Sequence, residues 1–167
     1  MACDIFLSYT RLKDFRGIVA DFAVHLQRET QKKTGRTSLH VFLDTKYIPP
    51  GAKWSPVIEA ELASASMLLI LLSPTWIRSE WCRREYSRFV FQSSERGIDR
   101  HVVPLIWDDV SQDDCETDEQ RTMLSEVLEH QAEAWGDLQY ETWQSESLRK
   151  AFGQLATRLK PHLSRAS

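Results

Sequence analysis

The feature that most constrains this chain is an uninterrupted apolar run from Met67 to Leu72, which the pair Ser73-Pro74 ends. Six consecutive apolar residues next to turn formers are typical of a strand that is buried on both faces of a parallel sheet. Ser79 follows as a favourable N-cap and predicts that a helix begins there. Because such a strand needs helices over both faces of its sheet, the run predicts an α/β fold.

The rest of the chain repeats this order of strand and helix about five times. Apolar runs predict further strands at residues 4–9, 39–43, 101–107 and 138–140. Apolar residues at helical spacing predict helices at residues 15–26, 56–65, 80–93, 119–133 and 148–159. The alternation predicts a flavodoxin-like three-layer sandwich with a central parallel five-stranded sheet.

Length and charge fit one globular domain. With 167 residues, of which 42% are hydrophobic, the chain can bury a core without disulfides or metals. We expect a single domain over residues 1–163 and a short polar tail at 164–167. The net charge of −3 argues against the strongly basic surface of nucleic-acid-binding domains, so no nucleic-acid partner is expected.

Cysteine use and hydropathy predict a cytoplasmic protein. Cys3, Cys82 and Cys115 are odd in number and lack CxxC spacing, which argues against both a disulfide framework and a zinc site. No apolar stretch approaches the roughly 18 residues of a membrane span, and no signal-peptide pattern opens the chain. No metal site is predicted, because metal-ligand spacing is missing among the histidines, which are His25, His40, His101, His130 and His162.

The predicted helix after Ser79 carries Trp81 and Glu85 on one face, because residues four apart in a helix project together. Its apolar stripe is predicted to comprise Cys82, Tyr86, Phe89 and Val90. Glu85 is therefore expected at the exposed margin of the packed face, near the carboxyl end of the preceding strand, where open α/β sheets bind ligands. An acid beside a flat ring suggests a ring-bearing substrate. The alternative is an ordinary amphipathic helix with a solvated glutamate and a packed tryptophan.

Three segments resemble the TIR (Toll/interleukin-1 receptor) domain family, in particular its bacterial type. Residues 4–9 (DIFLSY) are similar to the opening strand of the family. Residues 42–51, in which FLD precedes a PPG loop, are similar to the second strand and the BB loop. Residues 71–74 (LLSP), followed by Trp81 and Glu85, are similar to the segment that carries the WxxxE signature of enzymatic members. The order and spacing of the three segments make the resemblance specific.

The resemblance implies an activity. Enzymatic TIR domains cleave NAD at the nicotinamide–ribose bond and leave ADP-ribose or a cyclised form, so NAD would be the substrate and no cofactor is expected. Nicotinamide departs as a neutral molecule and needs no general acid, so the two carboxylates of most glycosidases are unnecessary. Glu85 would anchor the ribose hydroxyls and stabilise the positive charge that develops on the sugar. Trp81 would form a wall for the positively charged nicotinamide ring.

The resemblance extends to five further positions near the substrate, each with a structural alternative. Arg11 matches a basic position near the phosphates, or is a surface arginine in a loop. Asp44 matches an acid at the pocket, or caps a turn. Trp54 matches an aromatic near the ligand, or packs in the core. Ser8 and Tyr9 line the end of the first strand, or serve as turn formers.

The counterpart of the BB loop comprises Lys46, Tyr47, Ile48, Pro49, Pro50 and Gly51. In the family this loop packs against a neighbouring subunit and completes the pocket, which implies a homo-oligomer or filament and possible coupling to a sensor domain or partner protein. Receptor-type members often have Arg-Asp where this chain has Lys46-Tyr47, which argues against adaptor contacts of the receptor kind. Residues 111–145 match no pattern of the family.

The leading interpretation is an NAD glycohydrolase or cyclase of a prokaryotic defence or cell-suicide system. One alternative is an interaction module that self-associates without catalysis and would not need the pair Trp81 and Glu85. A nucleoside deoxyribosyltransferase-like enzyme shares the sheet and a catalytic glutamate, but the opening strand and the loop argue against it. A phospho-acceptor receiver domain needs an aspartate at the end of the third strand, where this chain has Leu72-Ser73, and is rejected.

Overall fold

A parallel sheet of five strands forms the centre of the molecule. The computed structural model describes residues 3–10, 17–43 and 53–163 of the chain. The strands are β1 (Ile5–Ser8), β2 (Val41–Leu43), β3 (Met67–Leu72), β4 (His101–Ile106) and β5 (Glu133–Ala134). Their order across the sheet is β2-β1-β3-β4-β5, and every neighbouring pair is parallel. This is the flavodoxin-like order, so the predicted fold class is confirmed.

Helices connect the strands and cover both faces of the sheet. They are α1 (Ile18–Thr34), α2 (Pro56–Ser64), α3 (Pro74–Arg78), α4 (Glu80–Glu95), α5 (Asp118–Val127) and α6 (Glu146–Leu163). Short 3₁₀ helices lie at Gln112–Asp114 and Gly136–Tyr140. No helix in the described part of the chain is long and apolar enough to cross a membrane. The polar tail expected at 164–167 lies outside the described residues.

The alternation of side chains along β3 divides the core into two clusters. The odd-numbered residues of β3, such as Leu69, pack with α1 and α6 on one face of the sheet. The even-numbered residues of β3, such as Ile70, pack with α2, α3, α4 and α5 on the opposite face. All six residues of β3 are buried, because helices cover both faces and β1 and β4 flank its two edges. The buried strand predicted from the apolar run is therefore confirmed, with the predicted bounds Met67–Leu72.

The chain after β4 differs from the prediction. The helix predicted at 119–133 ends earlier, at Val127. The strand predicted at 138–140 is wrong, because those residues belong to a 3₁₀ helix and the edge strand β5 is Glu133–Ala134. No apolar alternation marks β5, since it has only two residues and pairs with Leu105 and Ile106 of β4 through the backbone. Backbone pairing of this kind leaves no pattern in the sequence.

A half-buried arginine, Arg100, joins the end of α2 to α4 on the second face of the sheet. The Arg100 guanidinium donates to the carbonyl oxygens of Leu62 at 2.8 Å and Ala65 at 3.0 Å, where α2 ends. It also donates to the carbonyl oxygen of Phe89 in α4 at 2.9 Å, and its Cζ lies 3.8 Å from the centroid of the Phe89 ring. The planar fork of arginine satisfies carbonyls that a helix end leaves unpaired.

We expect Arg100→Lys to lower the free energy of unfolding by about 2–3 kcal/mol, because an ammonium cannot reproduce the fork and leaves buried carbonyls unpaired. Urea denaturation measures the loss. The matched control is Arg96→Lys, since the exposed Arg96 donates to the Ala63 carbonyl at 2.8 Å from the same helix end. The control should stay within about 0.5 kcal/mol of the wild type. Equal losses in both variants would contradict the proposed role of the fork.

Candidate functional site

The candidate site lies at the carboxyl edge of the sheet, where β1 and β3 end side by side. β1 ends at Ser8 and pairs with β3, which ends two residues beyond the partner of Ser8, Ile70. Ser8 is fully buried. Its side chain points to the face that α4 covers, because its hydroxyl contacts Glu85 of that helix. The site therefore brings together residues that are 77 positions apart in the chain.

Glu85 is buried, with only 3% of its surface exposed. The prediction that it lies at an exposed margin is therefore wrong. The helix start at Ser79 is confirmed, since the Ser79 hydroxyl accepts from the amide of Cys82 at 3.2 Å. The buried stripe of α4 follows the spacing of Cys82, Glu85, Tyr86 and Phe89, so the carboxylate occupies an inward position.

The fourth apolar residue assigned to this stripe, Val90, is 42% exposed, so that assignment is also wrong. The helix rotates by about 100° for each residue, so a stripe that contains Glu85 excludes Val90. Hydrophobicity alone predicts Val90, and not Glu85, at a buried position of the helix. The glutamate is accommodated in the interior because the end of β1 offers it a hydroxyl donor.

A chain of two hydrogen bonds holds the buried carboxylate. The Ser8 hydroxyl donates to Oε1 of Glu85 at 2.8 Å. The indole Nε1–H of Trp76, in α3, donates to the same Ser8 oxygen at 3.0 Å. Trp76 is fully buried against the core on this face of the sheet. A buried charge needs such donors, because leaving water without them is strongly unfavourable.

Three hydroxyl groups extend the polar lining of this edge. The Thr75 hydroxyl lies 2.9 Å from that of Ser73 and 2.9 Å from that of Thr10, just beyond β1. Ser73 caps α3 by accepting from the amide of Trp76 at 3.1 Å. The short helix α3 thus connects the ends of β1 and β3 through side-chain hydrogen bonds. These small hydroxyl residues give the edge a polar surface that offers both donors and acceptors.

Two of the predicted site residues, Trp54 and Trp81, form an aromatic pair at the start of α2 and α4. Their ring centroids are 4.9 Å apart, with an angle of 31° between the planes. Arg84 lies near both rings, its Cζ 6.0 Å from the Trp54 centroid and 5.9 Å from the Trp81 centroid. Both tryptophans are partly buried at the border of the second core cluster. The pair is an aromatic cluster of two tilted rings that has a guanidinium beside it.

The structure separates Tyr9 from Glu85, although its neighbour Ser8 contacts that carboxylate. The Tyr9 side chain packs against the first core cluster, on the opposite face of the sheet. Its carbonyl oxygen faces the second cluster and lies 3.5 Å from the thiol of Cys82. Arg11, Asp44 and the loop residues 46–51 lie outside the described residues, so their predicted roles stay predictions.

Two histidines that are distant in sequence meet in the fold, away from this edge. The rings of His101 and His162 stack with their centroids 3.8 Å apart. Burial lowers the pKa of His101, which favours its neutral form. His25 stacks on Trp143 with centroids 4.2 Å apart. Across the described ranges, no group of three or more histidine, cysteine or acidic side chains is placed to hold a metal ion.

The sequence prediction lacks α3, which carries Trp76 and Thr75, and it assigns no role to Thr10 after β1. The signal was present, since Ser73-Pro74 is the same kind of helix start as Ser55-Pro56, with serine as N-cap and proline at the first helical position. The prediction uses the serine–proline pair only as the end of β3. A five-residue helix has too few turns to show a periodic apolar pattern.

The comparison with known proteins identifies the family. A family model described as TIR domain matches residues 5–155. The chain belongs to the TIR domain family. No curated protein matches it in sequence. As a TIR domain, it shares its fold with solved structures of distant relatives.

One such structure is that of the TIR domains of the activated Roq1 resistosome, which directly recognises the pathogen effector XopQ. The identity is 18% and the TM-score 0.63, over 95% of this chain and 99% of that one. Another is the TIR domain of the Toll-related receptor TRR-2 from Hydra magnipapillata. There the identity is 11% and the TM-score 0.55, over 96% of this chain and 99% of that one. At these identities the likeness establishes a shared TIR fold.

Removing either ring of the tryptophan pair should weaken the TIR domain by less than removing a fully buried tryptophan. We expect Trp54→Ala and Trp81→Ala to be coupled by about 0.5–1.5 kcal/mol in a double-mutant cycle of unfolding free energies, because the rings contact each other. The control, Trp135→Ala, removes a ring that is 2% exposed and should cost about 3–5 kcal/mol alone. Additive losses, with Trp81→Ala as costly as the control, would refute this view of the pair.

Proposed function

We propose that this TIR domain cleaves NAD at the bond between nicotinamide and ribose, with Glu85 as the catalytic carboxylate. The observation that carries the proposal is the position of that carboxylate. It lies at the carboxyl edge of a parallel sheet, inside the protein, where the hydroxyl of Ser8 donates to it at 2.8 Å. In open α/β sheets this edge is the usual place of ligands.

The reaction breaks one carbon–nitrogen bond. The bonding electron pair moves to the pyridinium nitrogen, so nicotinamide leaves as a neutral molecule and the ribose C1′ becomes cationic. The cation is quenched by the oxygen of water, which loses a proton to solvent and gives ADP-ribose, or by a nucleophilic atom of the same substrate, which gives a cyclic form. The carboxylate of Glu85 stabilises the developing positive charge on the sugar.

The surroundings of Glu85 favour this role. In a buried position the attraction between a carboxylate and a developing cation is stronger than in water, because fewer solvent dipoles screen it. The hydrogen bond from Ser8 fixes the position of Oε1 before the substrate binds. A charge that is already oriented needs little reorganisation during the reaction, which is the basis of electrostatic catalysis.

We assign the nicotinamide ring to the aromatic surface of Trp81 and Trp54. A guanidinium, that of Arg84, already lies about 6 Å from both ring centroids, which supports an affinity of this surface for cations. The indole N–H of Trp81 has no hydrogen-bond partner among the residues that the structure describes. Because this nitrogen is buried, we propose that the Trp81 ring shifts when NAD binds, so that its N–H can donate to the carboxamide oxygen of nicotinamide.

We further propose that the domain is of the bacterial type and acts in the cytoplasm in defence or cell-suicide signalling. The three cysteines are buried free thiols, as is typical of reducing compartments. A second candidate function is that of an interaction module without catalysis. The TIR domains of the Roq1 resistosome belong to an activated assembly, which supports self-association of this domain as well. We propose the loop 46–51 as the assembly surface in either case.

Replacing the catalytic carboxylate should abolish the reaction. We expect Glu85→Gln to lower NAD cleavage by at least about 10²–10³, because glutamine keeps the size of the side chain but lacks the charge that the cationic sugar requires. Chromatography of the products after incubation with NAD measures the loss. The matched control is Glu95→Gln at the exposed end of the same helix, which should keep the wild-type rate.

Since Glu85 is buried, thermal melts of Glu85→Gln must accompany the activity measurement, and its stability is not expected to stay within the narrow range of a surface substitution. A folded Glu85→Gln domain that cleaves NAD at the wild-type rate would refute the mechanism. A wild-type domain that remains inactive even at high concentration would leave the interaction module as the better account.

Specific activity should rise with protein concentration. In relatives the loop that corresponds to residues 46–51 packs against a neighbouring subunit, and docking of a loop that excludes water can determine the catalytic rate. NAD turnover per mole of protein is measured from dilute to crowded solutions. The increase should disappear when the proline pair of the loop is replaced in Pro49→Ala/Pro50→Ala. A specific activity that stays constant over the whole range would count against assembly as a requirement.

A further inference from the structure

We infer that Trp76 is a positioning residue for Glu85 and acts through the hydroxyl of Ser8. The inference rests on the proposed function and adds a residue that neither the family resemblance nor the WxxxE pattern includes. Three side chains carry it, all buried and joined by hydrogen bonds of 3.0 and 2.8 Å. They come from three elements of the fold, namely β1, α3 and α4.

The direction of the two hydrogen bonds follows from the chemistry of the groups. An indole N–H can only donate, so the oxygen of Ser8 must be the acceptor from Trp76. A serine hydroxyl has one proton, and an ionised carboxylate can only accept, so that proton points to Oε1 of Glu85. The tryptophan occupies a lone pair of the hydroxyl and thereby limits the directions in which the hydroxyl proton can turn.

The position of Trp76 is itself strongly fixed. Its ring is fully buried, and the first turn of α3 is capped by Ser73. The backbone of Ser8 is held at the end of β1, where Ser8 pairs with Ile70 of β3. By contrast, Glu85 reaches the site on a long side chain with three rotatable bonds, and it loses several rotamers when it is held in place. The rigid framework of α3 and β1 therefore orients the flexible carboxylate.

Loss of the indole donor should affect the chemical step more than substrate binding. In Trp76→Phe the ring remains aromatic, but the hydroxyl of Ser8 loses its donor and can turn away from Glu85. We expect kcat for NAD cleavage to fall about tenfold or more, with KM within about twofold, as for an interaction that matters mainly in the transition state. The matched control is Trp135→Phe, the same change at a buried ring on the opposite face of the sheet, where kcat should stay within about twofold.

A double-mutant cycle distinguishes positioning from general damage to the fold. We expect Ser8→Ala to lower kcat at least as much as Trp76→Phe does. Once Ser8 is alanine, adding Trp76→Phe should have no further effect on kcat beyond about twofold, because the tryptophan acts only through the hydroxyl. Multiplicative losses in the double variant would overturn the inference.

A spectroscopic measurement tests the same chain without any activity. In ¹H–¹⁵N spectra the indole signal of Trp76 is assigned by its loss in Trp76→Phe. It should move upfield in Ser8→Ala, where its acceptor is removed, while the signal of Trp135 stays in place. The carboxyl-carbon signal of Glu85, assigned by its loss in Glu85→Gln, should move in Trp76→Phe in the same direction as in Ser8→Ala.

The two kinds of measurement separate the possible failures. If the domain does not cleave NAD but both signals move as expected, the proposed function fails and the hydrogen-bonded chain stands as an orienting device. If the indole signal of Trp76 is unchanged in Ser8→Ala, the inference is overturned whatever the activity. Should Trp76→Phe fail to fold, the indole signal of Trp76 is assigned in the wild type by triple-resonance experiments, and Ser8→Ala still decides because it leaves that indole in place.

Discussion

The structure depends on the burial of β3 on both faces. A strand of six apolar residues cannot leave either side in water, so helices must cover the sheet above and below it. Parallel neighbours on both edges follow, since the connections between parallel strands are themselves those helices. The two core clusters, with α1 and α6 on one side and α2 to α5 on the other, are the result. Every other element is placed relative to this strand.

The carboxyl edge of such a sheet is where a charge can be held inside a protein at acceptable cost. Side chains at the ends of β1 and β3 point into a region that is no longer filled by strands, and small hydroxyl residues occupy it here. Glu85 enters from α4 and accepts a hydrogen bond from Ser8, whose oxygen accepts one from Trp76. In the proposed mechanism, burial makes the carboxylate a stronger electrostatic partner for a cationic sugar, and the hydrogen bonds keep it oriented.

Much of the fold could be predicted from the sequence, because its signals are local. The bounds of β3 and the start of α4 at Ser79 follow from the apolar run and from the capping serine. The prediction failed where local signals are weak. The two-residue strand β5 pairs through its backbone, and the short helix α3 is too brief for a periodic pattern. The prediction places Val90 in the core because a hydrophobic side chain is the more common occupant of an inward position.

For the candidate site, too, one part could be predicted from the sequence and the other could not. By itself the sequence determined the alternation of strands and helices as far as β4, apart from the short helix α3, and the spacing of Trp81 and Glu85 on one helix. It also carried the resemblance to the TIR family, which the family match then confirmed. Only the tertiary structure decided that Glu85 is buried and that hydrogen bonds join it to Ser8 and, through Ser8, to Trp76. The physical reason is that an amphipathic pattern shows only which face of a helix is apolar. Whether a charged side chain can be buried depends on the hydrogen-bond donors that distant segments of the chain bring to it. Here the donor Ser8 lies 77 positions along the chain from Glu85, and the donor Trp76 lies 68 positions from Ser8.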